Sequence, residues 1–508
     1  MRKEATIKNS VAGLINRITT FTSIFLVRHY FAHYLPAEYL GIEGLFQNVL
    51  GLFSLIDMGL GTAIAFDLYE PIRKSEDKQI SAIMTLYKKI YSLIGVLIFA
   101  MSVLFVPFIL NFISGYSIKG SDIRFYFLVY AFGVAISYFF SYKRTLLFAL
   151  QKNYIVTNVD TIVKSTGSLC QIFILVFFKN YFLYLLIIVL INITSNYIIS
   201  VITDKKNYYD KKSAIKLSKQ YKEKLVEHIK TLAVTNLAWQ GITSTDNIII
   251  SAMTGLVDLA KNANYATIVQ AINGIASSIL GGVSASIGDL IAEGDSQKIK
   301  KYFDRYCFIY AVVASYAAIG VFFVSKQVIT VWVGSSYILD DLSVLLISVN
   351  LYLALTFKPL ADYQNYSGCF VFYKPYSIIA LFINLFVSII GAHLMGISGV
   401  FLGTTLTYLF MCFVVLKLIY RHIFNESSID YFIKASKTIV PSIMSAFIIC
   451  FLHRFITLHN VWLEMFLFVL LVTIIYFTVL FLFLRNEENF SFFVNLFFSL
   501  LHKFLKKN

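Results

Sequence analysis

The chain has 508 residues, 58% of them hydrophobic and only 14% charged, and its mean hydropathy is +0.74; a soluble domain carries about a quarter charged residues, so a water-soluble globule is excluded. The formal charge of +15 would point a soluble protein toward nucleic acid, but here the basic residues fall in short segments between apolar runs, where they set membrane orientation. Cys170, Cys307, Cys369, Cys412 and Cys450 form no CxxC and no Cys/His cluster, which argues against a disulfide framework or a metal site.

In chain order, the apolar runs predict an all-α, polytopic membrane protein with about fourteen spans: 11–35, 39–69, 89–113, 123–149, 155–178, 181–203, 231–254, 260–291, 306–332, 341–368, 376–397, 399–421, 437–458 and 461–484. Such runs can cross roughly 30 Å of hydrocarbon at about 1.5 Å per residue. The start, Met1-Arg2-Lys3-Glu4, leads into a long run without a small-residue cleavage site and is expected to be a retained first helix rather than a signal peptide. With the N-terminus inside, inner segments hold 34 Lys and Arg against six outside. That bias places both termini in the cytoplasm and requires an even number of spans. Outer loops are short and leave no room for an external domain.

The organisation expected is an N-terminal membrane lobe (1–203), a lysine-rich cytoplasmic linker (204–230) and a C-terminal lobe (231–421). Two extra helices and a basic tail (422–508) follow. The linker is suited to anionic headgroups, and Phe490 to Lys507 reads as an interfacial amphipathic helix. Residues 39–80 and 260–299 align with a shift of about 220: Asp57-Met58-Gly59-Leu60-Gly61 in one, Leu280-Gly281-Gly282 in the other. Two pseudo-symmetric six-helix lobes plus two C-terminal helices reconcile this repeat with its orientation. Duplication about a central pathway is common in secondary transporters.

Arg17 and Arg28 lie inside the first span, eleven residues apart, so they share a face about 16 Å apart along the axis. A mid-span arginine costs about 2.5–3.5 kcal/mol on insertion scales. Two readings remain open: a stepwise cavity site for an anionic substrate, which a bidentate guanidinium suits, or a structural ion pair with Arg28 snorkelling outward. Asp57 falls at a depth between them and is their expected partner or a proton carrier. Gly59 and Gly61 after it permit a hinge. Asp160 and Lys164, spaced i,i+4, are expected to pair with each other or couple to an ion. Asp246, within Thr243-Ser244-Thr245-Asp246-Asn247, should face a cavity and contact substrate. Glu43 and Glu464 lie near the outer boundary and carry little signal. No Walker A sequence or catalytic constellation is present in the sequence, so neither enzyme activity nor a cofactor is expected.

Residues 8–70 carry Lys8-Asn9-Ser10, then Tyr39-Leu40-Gly41-Ile42-Glu43-Gly44-Leu45, then Leu55-Ile56-Asp57-Met58-Gly59-Leu60-Gly61-Thr62-Ala63. This stretch resembles bacterial Wzx-type polysaccharide exporters, the flippases for lipid-linked O-antigen or capsule units. They belong to the multidrug/oligosaccharidyl-lipid/polysaccharide exporter superfamily. The C-terminal half is similar in layout only. The resemblance implies two six-helix bundles around a V-shaped cavity in the cytoplasmic membrane. It implies an undecaprenyl-pyrophosphate-linked oligosaccharide as substrate, moved to the outer leaflet by alternating access. An ion gradient or membrane potential would drive the step, with membrane lipids and other polysaccharide-assembly proteins as partners. A drug or metabolite antiporter and a lipid II flippase are the alternatives. A membrane polymerase fits less well, because it would need a large external loop.

Overall fold

The computed structural model describes residues 2–54, 60–206, 244–293, 295–367, 370–456 and 460–495. Among them no strand occurs. The first helices are α1 (Arg2–Tyr34), α2 (Ala37–Phe53), α3 (Leu60–Lys74), α4 (Asp77–Phe105), α5 (Gly120–Ala149), α6 (Asn153–Phe177) and α7 (Tyr181–Lys205). A helix described over 244–253 is α8. Then come α9 (Leu256–Glu293), α10 (Ser296–Trp332), α11 (Asp341–Tyr366), α12 (Phe370–Met395), α13 (Ile397–Ile419), α14 (Ile429–His453) and α15 (Val461–Leu484). A last helix, α16, is described over 488–495.

Among the described residues ten helices, α4 to α7 and α10 to α15, are long and apolar enough to cross a membrane. The chain is therefore a multi-pass helical membrane protein. The expected spans 11–35, 39–69, 231–254 and 260–291 are not among the ten; they carry intramembrane charge or glycine, or reach into residues outside the description. Several helices also begin earlier than hydropathy places them. The helix carrying span 89–113 starts at Asp77, and that carrying 306–332 starts at Ser296. Apolarity marks only the part of a helix inside hydrocarbon, whereas backbone hydrogen bonding continues through Lys78, Lys88 and Lys89, and through Lys298 to Arg305.

Two compact units divide the chain, residues 1–260 and 261–508. In the first, α1 packs on α6, and α5 on α4 and α7. Gly41 of α2 lies against the start of α9: a Cβ there would stand 2.2 Å from the Leu256 carbonyl oxygen. In the second unit, α10 packs on α11, α14 and α15, and α12 on α13. Polar side chains tie these helices together, as is usual where lipid supplies no hydrophobic drive. Asn350 donates to the Phe401 carbonyl (3.0 Å), Thr405 donates to Asn350 (2.7 Å) and Tyr476 donates to the Val312 carbonyl (2.9 Å).

The described part of the tail packs against the protein. Phe490 of α16 is buried with Val312, Ile449, Tyr476 and Leu484, and the Arg305 guanidinium stacks 4.5 Å from the Phe492 ring. Glu488 meets Lys301 and Arg305 at 2.8 and 2.7 Å, and these bonds hold its carboxyl below the usual range. Thus α16 docks on its own unit; residues 496–508 of the expected amphipathic segment fall outside the description.

The α12–α13 seam is closed by glycine. Gly391 and Gly399 face each other so closely that a Cβ on Gly399 would sit 1.9 Å from the Gly391 oxygen. Overpacking of this kind costs about 1–3 kcal/mol. Gly399→Ala should lower the thermal midpoint in detergent by several degrees, while Gly320→Ala, with nothing within 4 Å of its added carbon, should not; equal midpoints would refute the close seam.

Candidate functional site

Arg17 and Arg28 are both on α1. Arg17 is exposed, beside Leu14, Ile15 and Ile18, which are exposed too. Arg28 is half-buried. Below it Asn16 donates to Thr161 of α6 at 2.7 Å, which fixes the rotation of α1. Asp57 and Gly59 lie outside the described residues. Gly61 sits in the first turn of α3, facing Tyr91 of α4 and Thr145 of α5.

The carboxylate that the structure does bring to Arg28 is Glu43 of α2, which lies within electrostatic reach of the guanidinium. One Glu43 oxygen accepts from Gln47 at 3.1 Å. The other is sealed from solvent, with the Tyr184 hydroxyl beside the carboxylate. Three tyrosines crowd the same carboxylate: Tyr184 and Tyr181 of α7 and Tyr130 of α5. Phe31 packs edge-on against Tyr184 with centroids 5.0 Å apart, and Tyr39 stacks on Tyr181 at 4.5 Å. Tyr39 and Glu43 both come from the Tyr39–Leu45 motif. In the sequence Glu43 carries little signal because it lies near the outer boundary. The signal that would have found it is depth. Counted from the Leu35-Pro36 turn, Arg28 and Glu43 are each about 9 Å into their helices.

Asp160 is held by Arg144 of α5, not by its i,i+4 neighbour. Two guanidinium nitrogens donate to the two Asp160 oxygens, each at 2.8 Å. The same guanidinium donates to Asn196 (2.5 Å) and Ser195 (2.8 Å) of α7, and Ser195 donates to Asp160. Lys164 is exposed. Next to this cluster Lys143, only 4% exposed, donates to Asp204 and Ser200 of α7 at 2.7 Å each. Lys143 and Arg144 fall near the inner end of the expected span 123–149. They stand inside α5, which runs to Ala149. Asp246 is half-buried on α8, and its neighbour Asn247 donates to Asn48 of α2 at 3.1 Å. Part of that polar patch therefore meets protein. Among the described residues no group of three or more His, Cys, Asp or Glu is placed to hold a metal ion.

A family model described as "Polysaccharide biosynthesis protein" matches residues 6–285, more than half of the chain. The chain belongs to this polysaccharide biosynthesis family. The family resemblance carried by residues 8–70 therefore stands. Among solved structures, the fold is similar to a lipid II flippase, MurJ, in an inward closed conformation: TM-score 0.67, 15% identity, covering 94% of this chain and 99% of that one. It is also similar to an inward-facing multidrug resistance MATE family transporter of the MOP superfamily, with TM-score 0.57, 13% identity and coverage of 81% and 98%. A third likeness is a MOP superfamily transporter from Pyrococcus furiosus, with TM-score 0.52, 12% identity and coverage of 84% and 97%. At such identities the shared property is the fold. A comparison with curated protein sequences finds no match. This polysaccharide biosynthesis protein thus has the fold of flippases and transporters, and its charged clusters lie within helices of that fold.

Removing one member of a largely buried ion pair leaves the other charge uncompensated. Asp160→Asn should cost about 2 kcal/mol or more and lower the thermal midpoint of the purified protein, and Lys164→Ala should leave it unchanged. The reverse order of effects would mean that the i,i+4 pair is the working one.

Proposed function

We propose that this protein is a flippase for an undecaprenyl-pyrophosphate-linked oligosaccharide, moving repeat units across the cytoplasmic membrane for O-antigen or capsule assembly. The observation that carries the reading is the pair of arginines on one face of α1, in a chain of the polysaccharide biosynthesis family. A pyrophosphate cannot cross hydrocarbon unless cations along the way compensate it, and guanidinium groups do so with paired hydrogen bonds. In this reading Arg17 receives the headgroup in the cytoplasmic half and Arg28 in the outer half. Glu43 keeps Arg28 neutralised between substrates. Asp57 and Asp246 are further cavity contacts, and Gly59 and Gly61 provide the hinge.

The reading also takes over the two six-helix lobes around a central cavity, with two C-terminal helices, fourteen spans in all and both termini in the cytoplasm. Its support is the inner bias of the basic residues and the internal repeat. The two lobes would alternate access, and the oligosaccharide would pass through the polar interior while the lipid tail stays in the bilayer. The name of the MurJ structure favours lipid II flipping as the second reading.

The Arg17→Ala/Arg28→Ala double variant should reach the membrane at the wild-type level yet fail to restore surface polysaccharide in a strain lacking the protein. Glu43→Gln should insert but restore it only partly. Full restoration by the double variant removes the arginines from the mechanism. Rescue of cell-wall growth without any glycan defect would instead select the lipid II reading.

A further inference from the structure

Lys358 falls within the expected span 341–368. It stands inside α11, roughly 12 Å before the helix end at Tyr366. It is also within the stretch Asp341–Asn365, which is apolar enough to cross a membrane. One turn further on, Asp362 accepts from its ammonium. The Asp362 side chain is only 8% exposed, and its other oxygen accepts from the Tyr306 hydroxyl of α10 at 2.9 Å. Tyr306 is itself buried. The carboxylate is thus fixed from two directions, and it fixes the lysine.

Lys358 is not buried with its partner: 45% of its side chain stays exposed. An ammonium has three donors, and Asp362 does not use them all. The surface around it is also unlike the surfaces this protein turns to lipid. Between Leu351 and Asn365 most of α11 is buried, and the exposed or half-exposed face through Lys358 reads Ala354, Lys358, Ala361, Asn365, spaced four, three and four. On α12 the exposed face reads Phe382, Phe386, Ile390, Leu394. A fixed cation on a face with no large apolar side chain belongs in an aqueous path.

We propose that Lys358 is a third phosphate-contacting cation beside Arg17 and Arg28 in the mechanism, which meets the pyrophosphate of the lipid-linked substrate, with Asp362 and Tyr306 as its positioning residues. The inference rests on the flippase reading for the identity of the anion. A charge-assisted hydrogen bond of this kind corresponds to about tenfold or more in affinity.

The test is titration of the purified full-length protein in detergent with farnesyl pyrophosphate and, separately, with uncharged farnesol. Wild type should bind the pyrophosphate more tightly than the alcohol. Lys358→Met should weaken pyrophosphate binding about tenfold or more and leave farnesol binding unchanged. Lys358→Gln, which keeps a polar group near Asp362, should behave in the same way, and Lys358→Arg should retain most of the affinity. If both neutral variants bind the pyrophosphate like wild type while Arg17→Ala/Arg28→Ala loses it, the role of Lys358 is overturned and the flippase reading stands. Equal loss of both ligands marks a packing defect and also overturns it. A wild type that does not distinguish pyrophosphate from alcohol overturns both.

Discussion

Inside a hydrocarbon layer no water is available to solvate a charge, so each ionised side chain must find its counterpart in the protein. Breaking a buried pair costs several kcal/mol because the survivor is left uncompensated. This requirement decides which helices of the first unit meet. Arg144 leaves α5 and reaches Asp160 on α6 and Ser195 and Asn196 on α7. One residue earlier, Lys143 reaches Asp204 and Ser200 of α7. Two adjacent cations thereby bind three helices at one end of the unit. In the second unit, Lys434 of α14 meets Asp304 of α10 at 2.7 Å, and Lys437 meets Glu487 just before α16 at 2.7 Å.

Charges choose the neighbours, and glycines set how near they come. Lipid is as apolar as leucine, so helices in a membrane gain most from close van der Waals approach. A Cβ on Gly133 of α5 would fall 2.8 Å from Val189 of α7, and on Gly167 of α6 it would fall 2.3 Å from Ile191 of α7. The same α5–α7 and α6–α7 contacts carry the Lys143 and Arg144 clusters, so one set of helices is fixed by charge at one end and by glycine further along. Gly41 closes α2 onto Leu256 in the same manner. That contact gives the glycine of the Tyr39–Leu45 motif a physical reason.

Some of this was legible in the sequence. The run 461–484 coincides with α15, and 181–203 nearly with α7, because polar residues bound each apolar stretch and Asn460 and Asn180 cap the helix starts. The starts of α4 and α10 were not legible, since a helix does not stop where hydrocarbon does. The i,i+4 rule linked Asp160 to Lys164, but a flexible ammonium on the same helix competes poorly with a guanidinium fork that bonds both carboxylate oxygens. No one-dimensional spacing could disclose that fork, because Arg144 lies on a different helix. Glu43 was discounted by a depth argument that, applied to both sides of the Leu35-Pro36 turn, would have selected it.

The same requirement also separates cations that lock the fold from cations that can serve a moving anion. Arg144 has its Nε and both terminal nitrogens committed to Asn196, Asp160 and Ser195. The pyrophosphate of the proposed substrate could reach it only by breaking the contact among α5, α6 and α7. Lys143 is buried behind two acceptors and is equally committed. Lys358 has the opposite balance, a rigid acid behind it and a side chain that stays 45% exposed. A translocation site needs cations of this second kind, because a cation without a fixed partner would be too costly in the resting state, and one with every donor bonded could not release and rebind a passing phosphate. Burial of the partner, rather than of the cation itself, is the feature that distinguishes them.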